Sequence, residues 1–541
     1  MDYRSFFIFD SLSKFVGFFV CFFTVIIFIY SLGFIKKKKF AYYSWFFLTF
    51  IASLGAVFSS HIIALIIFWG FLGLTLFQLI NLYSDKEVAA VAKKTFIIVG
   101  GSDGLLLVGL LLYTHLTSHY YITGSPLPIN NTLAFVAFLS IAIASFAKAG
   151  CMPFHSWIPD TAETASTPVV AYLPASVDKL LGIYLLARIV KDMFILDNIS
   201  KAILLILGAL TVLCAVMMAL IQHNTKRLLG YHAVSQVGYM VLGIGCASTL
   251  GLAGGLFHML NHAIYKSCLF LGAGNVEKRA GSNELEQLGG LGKFMPVTFI
   301  TTLIASFAIS GVPPFNGFVS KWMVYQGLID FMNSSVSTGL KFIIAMSLIS
   351  ALIGSGLTLA SFLKLNAGVF LGRAKGKVEE ARPSLLISPV VLAVLCIAFG
   401  IFASATILPF IEDSVGNIPM IGLWKPQPAT VLLLLGILLG LIIFQLMAKK
   451  VRISPSFVGG EELNFEQEPN IAPFYNTIKE LAFLKKIYAL AERKFFDIYE
   501  QSRKFTFLFI RFLQYLHNGV LPTYLVWCLL GMIGLFFIFF R

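Results

Sequence analysis

Long apolar runs recur along almost the whole chain, and they constrain its fold more than any other feature. About 20 apolar residues are enough for one helix to cross the hydrocarbon core of a membrane. Hydrophobic residues make up 58% of the chain and charged residues only 12%, whereas a soluble domain carries about 25% charged residues. One large soluble core is excluded, because such cores stop growing at about 250–300 residues.

We therefore predict an all-α polytopic membrane protein with about fourteen transmembrane helices. The first run ends in four lysines and is too long for the apolar part of a signal peptide, so we expect an uncleaved span. The fifth and tenth spans are long and are broken by glycine and proline. The predicted spans lie at about 13–35, 41–58, 61–83, 95–114, 132–160, 168–190, 201–222, 228–247, 251–274, 295–331, 341–363, 386–411, 429–447 and 519–540.

Lysine and arginine are concentrated in alternate loops, and only Lys191, Lys201 and Lys425 depart from this pattern. Cytoplasmic loops of membrane proteins are enriched in these residues, so fourteen spans place both termini on the outer side. The net charge of +14 therefore belongs to these loops and does not indicate a nucleic-acid partner. The basic residues that set the orientation are Lys36 to Lys39, Lys93, Lys94, Lys226, Arg227, Lys278, Arg279, Arg373, Lys375, Lys377, Lys449, Lys450 and Arg452.

The seven cysteines all lie in or beside apolar runs and form no CxxC motif and no Cys/His cluster. Zinc, iron–sulfur and haem sites are recognised by such clusters. We predict no metal and no cofactor bound by this chain.

The segment between Pro473 and His517 has a different pattern. Its apolar residues recur at steps of three and four, while lysine, arginine and glutamate occupy the other face. This predicts an amphipathic lateral helix along the cytoplasmic membrane surface or along neighbouring subunits, followed by a last span. A solvated, coiled-coil-like linker is the alternative.

Two stretches repeat each other at an offset of 161 residues: GCMPFHSWIPD at 150–160 and GVPPFNGFVSK at 311–321. The offset carries the second to sixth spans onto the seventh to eleventh. An odd number of spans per unit predicts two inverted five-helix repeats, each with one broken helix, which is typical of transporters. The predicted breaks are at Gly150, Pro153, Gly311, Pro313 and Pro314.

This organisation divides the chain into six predicted parts. They are an N-terminal span (1–40), the first repeat (41–190), the second repeat (191–364), additional spans (365–455), the lateral-helix region (456–518) and the C-terminal span (519–541).

Ionisable residues occur inside the predicted spans. Each costs roughly 2.5–3.5 kcal/mol at the bilayer centre and is therefore a candidate functional group. A buried lysine beside a carboxylate can load and release a proton when a neighbouring charge moves, whereas an arginine would stay protonated. Structural ion pairing is the alternative for each residue alone. The candidates are Asp103, Lys148, Asp178, Lys179, His258, His262, Lys266 and Lys321.

Three of these candidates share one helix face, because His258, His262 and Lys266 are spaced four residues apart. The two histidines could also be metal ligands one helical turn apart. No carboxylate or cysteine accompanies them, so a proton relay is the better interpretation.

Five stretches together form a specific pattern: KAGCMPFHSWIPDTAETASTPV, GIYLLAR, KRLLGYHAVSQVGYMVLGIG, FHMLNHAIYKSCLFLGAG and SGVPPFNGFVSKW. In this combination the chain, over about residues 60–365, resembles the proton-conducting, antiporter-like subunits of respiratory complex I. Relatives of that family occur in multisubunit cation/proton antiporters and in membrane-bound energy-converting hydrogenases. The amphipathic segment before the last span resembles the complex I subunit that carries a lateral helix.

The resemblance implies that Lys148 and Lys321 are central proton-relay groups and that His258, His262 and Lys266 form the family's histidine pair and lysine.

The chain departs from the family at two positions. Gly70 stands where the family has a glutamate that pairs with Lys148, so Asp103 is the first candidate substitute and Asp178 the second. In the family, a second relay lysine stands at the position that Leu180 occupies here. Lys179 comes one residue earlier and therefore points about 100° away around the helix.

The stretches FWGFLGLT, DKLLGIYLLAR and SFVGGEE look most like the energy-converting hydrogenase branch. That resemblance implies a subunit that translocates protons or sodium ions within a redox-driven complex of the prokaryotic plasma membrane. Iron–sulfur clusters and a NiFe centre would lie in partner subunits, namely other membrane subunits and a peripheral redox module. The alternatives are a Mrp-like cation/proton antiporter subunit without redox coupling and a scaffold with a vestigial site.

Overall fold

The computed structural model describes residues 6–447, except 84, 123, 125, 335, 373–375 and 421–425, and then 475, 478–479 and 481–540. Within these residues the chain is almost entirely helical. Two short strands, β1 (Leu127–Pro128) and β2 (Phe194–Ile195), pair in parallel with Leu127 opposite Phe194.

Eight helices build the first part of the chain. Two π-helical segments, Leu173–Val177 and Ile189–Met193, continue the last two of them into one apolar stretch, Thr167–Met193. A short 3₁₀ turn, Asn81–Tyr83, follows the third helix. The helices are α1 (Ser11–Phe34), α2 (Lys39–Phe58), α3 (Ile62–Ile80), α4 (Lys86–Thr117), α5 (Thr132–Ala149), α6 (Trp157–Thr164), α7 (Thr167–Tyr172) and α8 (Asp178–Arg188).

The second part contains ten helices and a 3₁₀ turn at Leu291–Lys293. The helices are α9 (Asn198–Leu220), α10 (Thr225–Gly245), α11 (Thr249–Ala280), α12 (Pro296–Ser310), α13 (Asn316–Asn333), α14 (Thr338–Phe370), α15 (Pro383–Ile401), α16 (Ala403–Thr406), α17 (Leu408–Val415) and α18 (Pro426–Met447).

Ten helices of the described residues are long and apolar enough to cross a membrane. The polytopic, all-helical fold is thereby confirmed, while the count of fourteen spans stays a prediction. Helices α10 and α11 are not among the ten. They lie inside the protein, with residues 250–272 of α11 buried without exception, and a helix shielded from lipid can carry polar side chains.

Helix α11 lies at the centre of the second part and packs against α10, α12, α13 and α15. Helix α10 in turn packs against α9 and α6, and α14 packs against α9 and α12. The candidate residues on α11 are therefore surrounded by other helices.

Both predicted breaks coincide with helix ends. Helix α5 stops at Ala149 and α12 at Ser310, and the next residues, Gly150 and Gly311, have φ angles of +78° and +79°. L-residues avoid this left-handed conformation, and a Cβ at Gly150 would lie 1.9 Å from Cδ1 of Ile158. The predicted break prolines Pro153, Pro313 and Pro314 lie between the ends of α5 and α12 and the next helices, α6 and α13. The inverted orientation of the two repeats, and the six-part division of the chain, stay predictions.

The C-terminal unit begins at Ile478. In it, two helices, α19 and α20, replace the single lateral helix that the sequence predicted. The amphipathic segment is interrupted between α19 and α20, where Lys494 has a φ angle of +57°. A residue in that conformation cannot continue a right-handed helix. The remainder of the predicted helix, and most of 456–477, lies outside the described residues. The helices of this unit are α19 (Ala482–Glu492), α20 (Ile498–Leu516) and α21 (Leu521–Phe539).

Candidate functional site

Lys148 lies in the last turn of α5 and is completely buried. Its Nζ is 3.9 Å from Oδ1 of Asp178 and 5.1 Å from the centroid of the Trp69 ring. The ammonium group has no hydrogen-bond partner among the described residues. The Asp178 carboxylate is therefore the charge partner in contact with this buried lysine.

Asp178, rather than Asp103, forms the ion pair with Lys148. Asp103 is only half-buried, and its Oδ2 lies 3.3 Å from where a Cβ on Gly73 would be. Its charge still acts on Lys148, without an ion pair between them. Asp178 is therefore the carboxylate in contact with Lys148, and Asp103 is not.

Gly70 faces away from Lys148. A Cβ at this position would meet no heavy atom within 4 Å, and the glycine lines an open apolar groove between α2 and α3. The preceding residue, Trp69, is the one that points inward to the lysine. The position at which the family has its glutamate thus presents no side chain to the site.

Lys179 reaches the same break from α8. The side chain is completely buried, and its Nζ donates a hydrogen bond to the carbonyl oxygen of Ala149, the last residue of α5. Carbonyl groups at a helix end lack an intrahelical donor, so a lysine is stabilising there. Although Lys179 is displaced by one residue from the family's pattern, it contacts the break directly.

Three candidate residues of α11 are completely buried. His258 lies 2.9 Å from the Ser320 hydroxyl and 3.2 Å from Oε1 of Gln236. Lys266 donates to the carbonyl oxygen of Leu229 at 2.8 Å.

His262 lies between these two along α11. Its ring nitrogens are buried, and the backbone of Ala175 lies close enough to one of them to act on the ring. The charges of Lys179 and Lys266 also act on the ring. A buried imidazole can accept a proton at one nitrogen and release one from the other.

Lys321 lies in α13 directly after the second break. Its Nζ donates to the carbonyl oxygen of Ile309, in the last turn of α12, at 2.9 Å, and lies 4.6 Å from the centroid of the Tyr239 ring. At each break, a buried lysine from another helix therefore donates a hydrogen bond to a carbonyl oxygen at the end of the interrupted helix. Lys179 does so at the end of α5 and Lys321 at the end of α12.

Sequence reasoning missed a set of polar residues on α10. His232, Gln236 and Tyr239 are completely buried and are spaced four and three residues apart, so they share one face. The spacing is visible in GYHAVSQVGY. These residues were passed over because glutamine and tyrosine are not charged and because the histidine stands apart from the lysines in sequence.

A second missed cluster ties α1 to the end of α8. Arg188 is buried and donates to both carboxylate oxygens of Asp10 at 2.6 Å and to Asp192 at 2.6 Å. Asp10 precedes α1 and caps it through the Ser13 amide at 2.9 Å. Burial alone would raise the pKa of the Asp10 carboxyl, but the Arg188 guanidinium outweighs it and lowers that pKa to about 2.

The ends of α4, α6, α10 and α11 are joined by ion pairs. Lys94 and Arg227 both contact Asp160, at 2.8 and 3.4 Å, and Lys226 lies 3.3 Å from Glu277. These residues stabilise the helix ends. Among the described residues, no group of three or more His, Cys, Asp or Glu side chains is placed to hold a metal ion.

Comparison with known proteins identifies the family. A family model described as "NADH:quinone oxidoreductase/Mrp antiporter, TM" matches residues 59–354, more than half of the chain. The chain belongs to this family. The matched residues contain every predicted relay residue and both breaks.

Similar proteins include the Na(+)/H(+) antiporter subunits A1 of two staphylococci. The subunit of Staphylococcus epidermidis (strain RP62A) is 31% identical over 411 residues, or 71% of this chain and 51% of the relative. That of Staphylococcus aureus (strain Newman) is 30% identical over 418 residues, 72% of this chain and 51% of the relative. The chain spans about half the length of the curated relatives it matches. These relatives favour the Mrp-like alternative over the hydrogenase-type expectation.

Solved structures show the same fold at low identity. A chain of the membrane-bound sulfane sulfur reductase, an archaeal respiratory complex, matches 96% of this chain and 88% of its own length, with TM-score 0.78 and 20% identity. A chain of the Mrp complex from Dietzia sp. DQ12-45-1b matches 76% of this chain and 84% of its own length, with TM-score 0.68 and 22% identity. A chain of respiratory complex I from Thermus thermophilus matches 74% of this chain and 86% of its own length, with TM-score 0.62 and 21% identity.

Proposed function

We propose that the chain is the antiporter-like subunit of a Mrp-like cation/proton antiporter in the prokaryotic plasma membrane and that it exchanges protons for sodium ions. The observation that carries the proposal is the series of completely buried lysines and histidines that runs from one break to the other. Family membership and the antiporter subunits among its relatives support this function. Other membrane subunits of such a complex are the proposed partners.

The first lysine of the proposed relay is Lys148, controlled by Asp178. When the Asp178 carboxylate is ionised at 3.9 Å, the ammonium form of Lys148 is favoured. A change that neutralises or moves this carboxylate favours release of the proton. The adjacent residue, Lys179, lies at the same break and is the next acceptor.

The relay then continues along α11 to the second break. The charges of Lys179 and Lys266 both act on the His262 ring, which accepts a proton at one nitrogen and releases one from the other. Lys321 is the last member, where the helix break exposes carbonyl groups that can hold water. Asp103 acts on Lys148 without forming an ion pair with it.

A second candidate function is a subunit of a redox-driven complex, in which hydrogenase-type partners with iron–sulfur clusters supply the energy. The observation in its favour is the fold match to the sulfane sulfur reductase complex, which covers 96% of the chain. Because the identity is 20%, this match speaks for the fold alone.

The test uses the native complex in inverted membrane vesicles, with the internal pH followed after a pulse of NaCl or after addition of a redox substrate. Under the proposal, the NaCl pulse alone moves protons, and Lys148→Met or Lys321→Met abolishes the movement. Lys364→Met is the matched control, because Lys364 is also buried but bonds the carbonyls at the end of α9 at 2.9 and 3.0 Å.

Proton movement that follows only the redox substrate selects the second candidate. Proton movement at the unaltered rate in both lysine variants refutes the relay itself.

A further inference from the structure

The polar face of α10 is not used by the relay described above. His232, Gln236 and Tyr239 form this face, and none of them is exposed to solvent or lipid. A buried polar face inside a membrane protein is costly unless it is paired or functional. The contacts of these three residues show what the face does.

His232 lies near the lysine end of α11. Its Nε2 is 2.7 Å from the Ser361 hydroxyl of α14, whereas its Nδ1 is buried and has no partner among the described residues. The imidazole ring packs against Phe362 with ring centroids 4.8 Å apart. The Nζ of Lys266 lies over the same Phe362 ring, 5.5 Å from its centroid. The histidine and the lysine thus share one aromatic neighbour.

The other two residues of the face reach the second break. Gln236 contacts His258 at 3.2 Å. The Tyr239 ring lies under the ammonium of Lys321 at 4.6 Å. The face therefore extends from the surroundings of Lys266 to those of Lys321, beside α11.

Helix α14 lines this face with hydroxyl groups. Ser355, Thr358 and Ser361 are spaced three residues apart, so they lie on one side of α14. Ser361 is bonded to His232, and Ser355 lies 3.0 Å from the Tyr239 hydroxyl. The Thr358 hydroxyl donates to the carbonyl oxygen of Gly354 at 2.7 Å, so it must rotate when a proton passes along the row. Hydroxyl groups both donate and accept, which allows this exchange.

We propose that His232 is a relay residue that carries the proton from Lys266 toward Lys321. This proposal rests on the proposed function. An N–H bond of the Lys266 ammonium breaks and an N–H bond forms at Nδ1 of His232. The ring then releases its other proton from Nε2 to the Ser361 hydroxyl and returns to the neutral state. The proton continues along the hydroxyl groups of α14 to the Lys321 amine.

The charges around His232 set the order of events. Lys266 and Lys321 are the two cations that act on the ring. A protonated imidazole beside an ammonium group is strongly disfavoured, so His232 takes the proton from Lys266 only while Lys321 is neutral, and Lys266 becomes neutral in that transfer. The ring thereby prevents two protons from occupying this part of the path at once.

The test measures proton transport by the native complex in inverted vesicles between pH 6 and 9. Transport is started with a NaCl pulse or with a redox substrate, whichever of the two makes the unaltered complex move protons. His232→Gln keeps an amide of similar reach but removes the titrating ring, and should lower the rate about tenfold or more and change the shape of the pH profile. Ser361→Ala should also lower the rate and shift the profile, because the ring loses the hydroxyl that takes its Nε2 proton. His223→Gln is the control, since His223 pairs with Glu286 at the protein surface at 2.9 Å.

An unaltered rate and profile in His232→Gln would overturn the proposal. So would a lower rate that follows only from a smaller amount of assembled complex, with the profile unchanged. Lys266→Met and Lys321→Met are measured in parallel. If these also transport protons at the unaltered rate, the proposed function itself has failed, rather than the role of His232.

Discussion

The carboxylate of Asp178 lies 3.9 Å from the ammonium of Lys148, and both side chains are almost completely buried. Asp178 comes from α8, and the neighbouring Lys179 bonds the end of α5. In the proposed relay, these two consecutive residues provide the acid that controls Lys148 and the next base in the path. The chain places this acid on a different helix from the glutamate of its family.

Asp178→Asn should therefore reduce proton transport more than Asp103→Asn. Asparagine keeps the shape of the side chain but leaves the buried Lys148 ammonium without its charge partner, and such an uncompensated charge costs about 3–5 kcal/mol. We expect transport to fall about tenfold or more in Asp178→Asn and severalfold less in Asp103→Asn, in vesicles with equal amounts of complex. Equal losses in the two variants would contradict the assignment of Asp178.

Gly70→Glu should not restore transport to Asp178→Asn. The position points into the groove between α2 and α3 and not toward Lys148. We expect the double variant to be as inactive as Asp178→Asn alone. Recovery of transport would show that a carboxylate at residue 70 reaches Lys148, against the geometry described here.

Gly311→Ala should lose transport, whereas Gly281→Ala should not. Both glycines have left-handed φ angles, +79° and +77°, and alanine costs about 1–2 kcal/mol in that conformation. Only at Gly311 does the new Cβ meet the Lys321 side chain, 3.0 Å from Cδ. Thermal unfolding should show a similar loss of stability in both variants. Loss of transport in both would mean that destabilisation alone explains the effect.

Asp10→Asn should destabilise the protein at neutral pH, and the difference from the unaltered protein should shrink in acid. Because Arg188 lowers the pKa of Asp10 from its ordinary 3.8 to about 2, the ionised form stabilises the folded state. This contribution is complete above about pH 4 and is lost as the pH falls toward 2. Thermal unfolding in detergent at pH 7, 5 and 3 measures the difference.

Asp197→Asn is the control for this effect. Asp197 caps α9 through the Ser200 amide at 3.0 Å, as Asp10 caps α1, but has no ion pair among the described residues. Its substitution removes the same kind of helix cap without breaking an ion pair, so the difference for Asp10→Asn should vary more with pH than that for Asp197→Asn. Equal variation in the two variants would exclude the role of Arg188.

Most of the fold could be predicted from local sequence patterns. Apolar runs predict the helices, and glycine followed by proline predicts both breaks, because these depend on residues close in sequence. The two lysines that bond the ends of the broken helices, Lys179 and Lys321, were also predicted as site residues from their positions in apolar runs. The interrupted lateral segment was predicted as a single helix because nothing in its sequence marks Lys494 as left-handed.

Contacts between distant residues could not be predicted in the same way. The preference of Lys148 for Asp178 over Asp103 depends on how α4, α5 and α8 pack. The pairing of Arg188 with Asp10 joins residues 178 positions apart. The α10 face was missed because its role depends on α14, more than 100 residues later, with His232 and Ser361 separated by 129 positions.

The complete burial of residues 250–272 of α11 has a consequence for how the protein is made. A segment with two histidines, a lysine and an asparagine partitions poorly into lipid by itself. Helix α10 precedes it in the chain and covers one of its faces, with Leu229 already offering a carbonyl to Lys266. We therefore expect the two helices to enter the bilayer as a hairpin. A substitution that weakens this pair is expected to lower the yield of inserted protein before it affects transport.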